Sequence, residues 1–300
     1  MIATSGPGSA PSVVAIGGGH GLATSLRSVR RYAGEITAVV SVADDGGSTG
    51  RLRAVAPRPA PGDLRKCLVA LAATESPIVK AMEHRFTGGE LDGHAFGNLL
   101  LVALEETEDD LVSALDEAAR LLECVGRVLP NTTVPVELQA RVDSGGMVRG
   151  QVAVGERTDL RTVTIAPDDA PACDAAVRAI LAADQVVLGP GSLYTSVLAA
   201  TAVRGIAEAI RRTDALVVYV CNLHPQAAES AGYGVADHVA ALGRHDLLPD
   251  VVLYDPATIG GADGVLGALP VSIAKASGLA HDSALLGAAL AATLSADAAG

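Results

Sequence analysis

A chain of 300 residues, 49% of them hydrophobic, can bury a large core, either as one big α/β domain or as a main domain with a subdomain. A formal net charge of -12 speaks against a nucleic-acid surface, which needs clustered Lys and Arg. Aromatics at 2%, with no Trp, leave no stacking platform for single strands, and no run approaches the ~20 apolar residues of a membrane span.

The first twelve residues, MIATSGPGSAPS, have no basic region and no continuous apolar core. They read as a flexible lead-in (1–12) rather than a signal peptide, and 13–300 reads as a single domain with no clear linker. Val13 to Ile16 is short, β-branched and bounded by glycine, as expected of a strand buried on both faces of a parallel sheet. Gly17, Gly18, Gly19 and Gly21 follow, and then Leu22, Leu26 and Val29 at helical spacing. The unit is strand, glycine loop, helix. Free N–H groups at such a helix start attract anions, so a nucleotide phosphate is the natural ligand. The strict dinucleotide pattern GxGxxG fails, because Leu22 or Thr24 stands where its last glycine or alanine belongs.

Ile36 to Val42 reads as the next strand and runs into Ala43-Asp44-Asp45-Gly46-Gly47-Ser48. Two adjacent carboxylates then lie where an open α/β sheet binds ligands. They could hydrogen-bond a ribose, hold Mg²⁺ through oxygen, or cap the next turn. Beyond Arg51 and Arg53, Pro57, Pro59 and Pro61 rule out a continuous helix. Gly62-Asp63 starts the next one, with Asp63 placed as N-cap and Leu64, Cys67, Leu68 and Leu71 behind it. Arg65 and Lys66 in that first turn oppose the helix dipole and call for an anion or carboxylate nearby.

FTGGELDGHAFGNLLLVALEE brings a further glycine-rich helix entry, with His94 and Asn98 near its start and no second metal-type residue at zinc spacing. Asp109 to Cys124 is an amphipathic helix. Two alternating or apolar runs around Asp143-Ser144-Gly145-Gly146 predict an antiparallel hairpin inserted at about 131–155, its first strand starting at the polar cluster from Asn131 to Pro135, a stretch that could equally be a loop or face the ligand. From Pro171 the alternation resumes, with Ala175 to Ala182 as a helix and Gln185 to Leu188 as a strand. The strand opens into Gly189-Pro190-Gly191-Ser192-Leu193-Tyr194-Thr195-Ser196, a second loop suited to a phosphate. The nucleophile-elbow pattern GxSxG fails there. Ala215 to Val220 is a strand ending at Cys221-Asn222-Leu223-His224. Val235 to Leu247 is a helix, Val251 to Tyr254 a strand, and Asp282 to Leu294 the closing helix. Cys67, Cys124, Cys173 and Cys221 are widely spaced, the first three in segments read as helical, and are expected as buried free thiols in a reducing cytoplasm. The alternation predicts an α/β fold, a doubly wound and mostly parallel sheet with a small antiparallel insertion.

IGGGHGL, VADDGGSTGRLR, PGDLRKCLVAL, HAFGNLL, LGPGSLYTSVL, and YVCNL followed by DHVAAL, in that order from Val13 to about Leu290, resemble the gluconeogenesis factor family. That family is similar to the 2-phospho-L-lactate transferases of deazaflavin cofactor synthesis and has a Rossmann-like core. The resemblance implies a cytoplasmic protein that binds UDP-sugars, notably UDP-N-acetylglucosamine, and supports cell-wall synthesis and cell shape during gluconeogenic growth. It implies no catalytic residue and no required cofactor. It places Gly17, Gly18, Gly19, Gly21, Asp44, Asp45, Gly46, Asp63, Asn98, Gly189, Gly191, Ser192, Tyr194, Thr195 and Asn222 around one nucleotide cleft. Expected partners are a UDP-sugar or related dinucleotide, cell-wall precursor enzymes and a second copy of the chain. The rival reading is a phosphotransferase of the phospholactate type, which would need Mg²⁺ on Asp44 and Asp45. A nicotinamide oxidoreductase is third, since no hydride-transfer residue stands out. Two departures from the family are His20, where many relatives carry Thr, and Ala280-His281-Asp282, which lacks the arginine of the family's Arg-His-Asp run.

Overall fold

The computed structural model describes residues 10–108, 110–226 and 228–297. Most of the lead-in expectation therefore lies outside the described residues. Its end is already structured: Pro11 accepts a hydrogen bond from the Gly34 N–H, and Ser12 opens the first strand.

Seven strands form one parallel sheet: β1 (Ser12–Gly17), β2 (Glu35–Val40), β3 (Arg127–Pro130), β7 (Gln185–Leu188), β8 (Leu216–Val220), β9 (Val251–Tyr254) and β10 (Ala268–Pro270). Numbers 4 to 6 belong to a second sheet, formed by β4 (Glu137–Val142), β5 (Met147–Arg149) and β6 (Leu160–Ala166). The large sheet runs in the order β10-β9-β8-β7-β1-β2-β3. Its central strands are apolar without alternation because helices cover both faces. Val14, Ile16, Val39, Val187 and Val218 are all buried. Val13 pairs with Ile36 of β2 on one side and with Gln185 of β7 on the other. From β1 the chain builds outward through β2 to β3, then returns to set β7 on the far side of β1. The strand order reverses at that seam, and the crevice outside its carboxyl ends is where such sheets bind ligands.

Three sequence expectations are corrected here. The insertion spans 137–166 and is a three-stranded antiparallel sheet in the order β5-β4-β6, with the short helix Gln151–Gly155 inside it. The hairpin turn at 143–146 is as expected, but β6 returns to pair along β4, a partnership that local alternation cannot reveal. The polar cluster at Asn131 is no strand: the buried Asn131 accepts from the Val42 N–H and donates to the carbonyls of Ala199 and Ala200, bracketing two layers. Asp63 is not an N-cap. The helix Pro61–Leu71 begins two residues earlier, with Ala60 at its cap and Pro61 where a missing N–H costs nothing.

The described part of the helix expected over Asp109 to Cys124 runs Leu111–Leu121; Asp109 itself lies outside the described residues. Cys67 sits within a helix, Cys173 caps one and Cys124 follows one; all four cysteines are free, and Cys124 is only half-buried. Among the described residues, no single helix is long and apolar enough to cross a membrane.

Candidate functional site

At the seam between β1 and β7 lies a crevice of about 310 Å³. Gly18 to Gly21 form one wall and Gly191, Ser192 and Ser196 the other. The two walls touch at Gly21. A Cβ there would sit 2.6 Å from the Gly191 Cα and closer still to the Pro190 carbonyl, both backbone atoms that cannot swing aside. Gly19 has φ +62, so the turn into the helix Gly19–Val29 uses the left-handed conformation that glycine adopts freely. Glycine at this N-cap supplies no side-chain cap, and the helix opens toward the crevice.

The rest of the lining is polar. Asp44 arrives from the end of β2, Asp63 and Lys66 from the helix Pro61–Leu71, Gln151 from the insertion, and Gln226 from the segment after β8. Lys66 Nζ is 3.0 Å from Asp63 Oδ1, so the arrangement of Asp63 and Lys66 answers part of the charge problem seen in that first turn. Burial, with the Asp63 charge adding to it, pushes the Asp44 carboxyl above the usual carboxylate range. Burial, followed by the Lys66 charge, holds His20 below the ordinary imidazole value. Gln226 donates from Nε2 to Ser192 Oγ at 2.8 Å, and its buried Oε1 has no partner among the described residues.

The remaining predicted residues stand around or behind this crevice. Gly17 ends β1 and Gly189 follows β7, and the Gly189 carbonyl accepts from Ser25 Oγ. Gly46 is the N-cap of the helix Gly47–Val55, and its N–H donates to Asp44 Oδ1. Asn222 grips Gly191 twice, accepting from its N–H at 3.0 Å and donating to its carbonyl at 2.8 Å. Asn98 is buried between Arg65 Nε, which donates to it, and Ser48 Oγ, which accepts from it. Tyr194 is fully buried, with its hydroxyl at the Leu160 carbonyl and Tyr233. Thr195 donates from both N–H and Oγ1 to Glu229 Oε2. Asp45 turns away from Asp44 and accepts from the N–H groups of Gln151 and Val152.

The acidic pair therefore diverges. Asp44 lines the crevice, while both Asp45 oxygens are held by the insertion, so the two do not present themselves to one Mg²⁺. Among the described residues no three His, Cys, Asp or Glu side chains cluster as a metal site. Sequence reasoning named Lys66 only as a misplaced charge and Ser196 only as the end of the second glycine loop, and it missed Gln151, Gln226 and Glu229. These three carry no local signal, since each reaches the seam from an element whose placement is tertiary. A larger groove, about 420 Å³ beside Gly34, Gly126 and Arg127, lies at the amino ends of β2 and β3, the wrong edge of a parallel sheet for a ligand.

This fold and crevice define the doubly wound α/β class with a site at the strand-order reversal. The model of the family described as 2-phospho-L-lactate transferase CofD matches residues 13–263. A putative gluconeogenesis factor of Mycobacterium leprae is 46% identical over 264 residues, 83% of this chain and 72% of its own. One from Nostoc is 41% identical over 81% of this chain, which spans only 55% of that relative's length. A crystal structure of a UPF0052 family member from Bacillus halodurans superposes with a TM-score of 0.88 at 33% identity, over 93% of this chain and 98% of that one. The chain belongs to the CofD family and, within it, to the gluconeogenesis factors.

Proposed function

We propose that the crevice binds a nucleotide sugar, with UDP-N-acetylglucosamine as reference ligand, and that the protein is a cytoplasmic regulator coupling that ligand to cell-wall synthesis and cell shape during gluconeogenic growth. One observation carries the reading. The cationic side chain prominent in the crevice, Lys66, is already paired with Asp63, so a diphosphate is met chiefly by backbone N–H groups at the start of the helix Gly19–Val29. Asp44, Gln151 and Gln226 then supply acceptors and amides for ribose and sugar hydroxyls. The free cysteines fit a reducing compartment. Interaction with cell-wall precursor enzymes and pairing with a second copy belong to the same proposal.

Calorimetry with UDP-N-acetylglucosamine, UDP-glucose, GDP and NAD, each with and without Mg²⁺, tests it. Expected is saturable binding of the UDP-sugars, with intact ligand recovered after long incubation. Absence of binding overturns the reading. Multiple turnovers to UDP or UMP that require Mg²⁺ would support the phosphotransferase reading, which the CofD family match favours.

A further inference from the structure

We propose that Asp45 is a positioning residue, the latch that docks the antiparallel insertion on the crevice, and that it thereby presents Gln151 as a specificity-determining contact for the ligand. The ligand half of this inference rests on the nucleotide-sugar reading; the latch does not.

Asp45 follows Asp44 directly in the chain, so the two carboxylates emerge on divergent sides of one extended loop. Asp45 Oδ2 accepts from the Gln151 N–H and Oδ1 from the Val152 N–H, both at 3.0 Å. Those N–H groups open the short helix Gln151–Gly155, whose N-cap is a glycine without a side chain to cap it. The carboxylate therefore serves as a cap supplied from a hundred residues away, satisfying donors that would otherwise be orphaned. Gly150 makes the approach possible: it has φ +90, and a Cβ on it would lie 2.6 Å from Asp45 Oδ2.

A second tie crosses the same boundary. Arg53 donates from Nη1 to the Asp44 carbonyl at 2.9 Å and from Nη2 to the Val136 carbonyl at 2.6 Å, fastening the acidic loop to the entry of β4. Between these ties the helix start is held in one place relative to the seam, and Gln151 lines the crevice with Asp44, Asp63 and Gln226. An amide there can both donate and accept, which suits a hydroxyl-rich sugar or ribose and cannot neutralise phosphate.

The experiment is a double-mutant cycle on the full chain, with Asp45→Ala, Gln151→Ala and the pair. UDP-N-acetylglucosamine affinity is read by calorimetry, and hydrogen exchange is read on the ligand-free proteins. Exchange across 147–155 is expected to rise in Asp45→Ala and to stay unchanged in Gln151→Ala. Each single variant is expected to lose about tenfold in affinity, one hydrogen bond's worth, with the pair losing no more than either. Asp45→Asn, which keeps one acceptor but sets an amide against the other N–H, serves if the alanine variant folds poorly, and should show the same rise in exchange.

Unchanged exchange in both Asp45 variants overturns the latch. Additive losses, about a hundredfold in the pair, overturn the indirect role and put Asp45 in direct contact with ligand. If the wild type binds no UDP-sugar while the exchange result holds, the nucleotide-sugar reading and the assigned role of Gln151 fail, and the latch stands.

Discussion

The loop after β1 and the loop after β7 are both glycine-rich turns that lead from a buried strand into a helix, yet the fold treats them oppositely. The first opens its helix start onto the crevice with no side chain capping it. The second finds an internal anion in place: Glu229, buried and folded in from the segment after β8, takes the Thr195 N–H and hydroxyl. Burial raises the Glu229 carboxyl above the ordinary value, while hydrogen bonds from Thr195 and its neighbours oppose that shift. Behind this second loop lies a run of aromatic and polar contacts, Tyr194 to Tyr233, Tyr233 edge-on to His238, and His238 Nδ1 at 2.8 Å from the Tyr219 hydroxyl. A helix start is an anion site only if no other part of the chain reaches it first. In the proposed nucleotide-sugar reading the first loop receives the ligand, and the second is built as a wall.

The most severe way to break this contrast is to force the loops apart. Gly21→Ala drives a methyl into the backbone of Pro190 and Gly191 and should cost more than about 3 kcal/mol in urea unfolding, with ligand binding abolished. Normal stability and affinity would show that the loops do not pack as described.

The largest response to acid lies behind the second loop. Burial holds His238 down to about 4, and its Nε2 has no partner among the described residues. The unfolded chain therefore binds the extra proton first. Stability should fall as pH drops from about 6.5 toward 4, by roughly 3 kcal/mol at most, and be flat in this contribution above and below. His245 and His281, also held down by burial, share the window, so His238→Phe should remove only part of the slope. An unaltered slope would discount His238.

Emptying the second helix start is a smaller change. Glu229→Ala leaves the Thr195 donors unmet and should cost about 2 kcal/mol, while Glu229→Gln, which keeps an acceptor, should cost less. Sulfate should then raise the melting temperature of the alanine variant and leave the wild type unmoved. An equal response in both proteins would mean that the carboxylate does not exclude anions.

The mildest test loosens the wall without unblocking it. Asn222→Ala removes both hydrogen bonds to Gly191 and should weaken ligand binding by about tenfold, with a stability loss of about 1 kcal/mol. An affinity loss far above that would move Asn222 from loop support to direct ligand contact.

Much of this was legible in the residues. Val13 to Leu26 determined its strand, turn and helix because apolar spacing and four glycines leave few alternatives. Gln185 to Leu188 and Val251 to Tyr254 were legible for the same reason, being runs of buried residues bounded by turn formers. The order of these units also implied the parallel sheet and the end at which a ligand would sit. β3 and β10, four and three residues long, were not legible: an edge strand needs a partner more than a pattern. Nor did sequence separate the roles of Asp44 and Asp45, or of Gly19 and Thr195. Adjacent carboxylates look alike until a helix from 106 residues further on, Gln151–Gly155, comes to rest on one of them. Periodicity, capping and glycine content are local and can be read along the chain. Whether a donor or a carboxylate is free depends on what the folded chain packs against it, and at this crevice Glu229, Gln226 and the insertion were decided by tertiary structure alone.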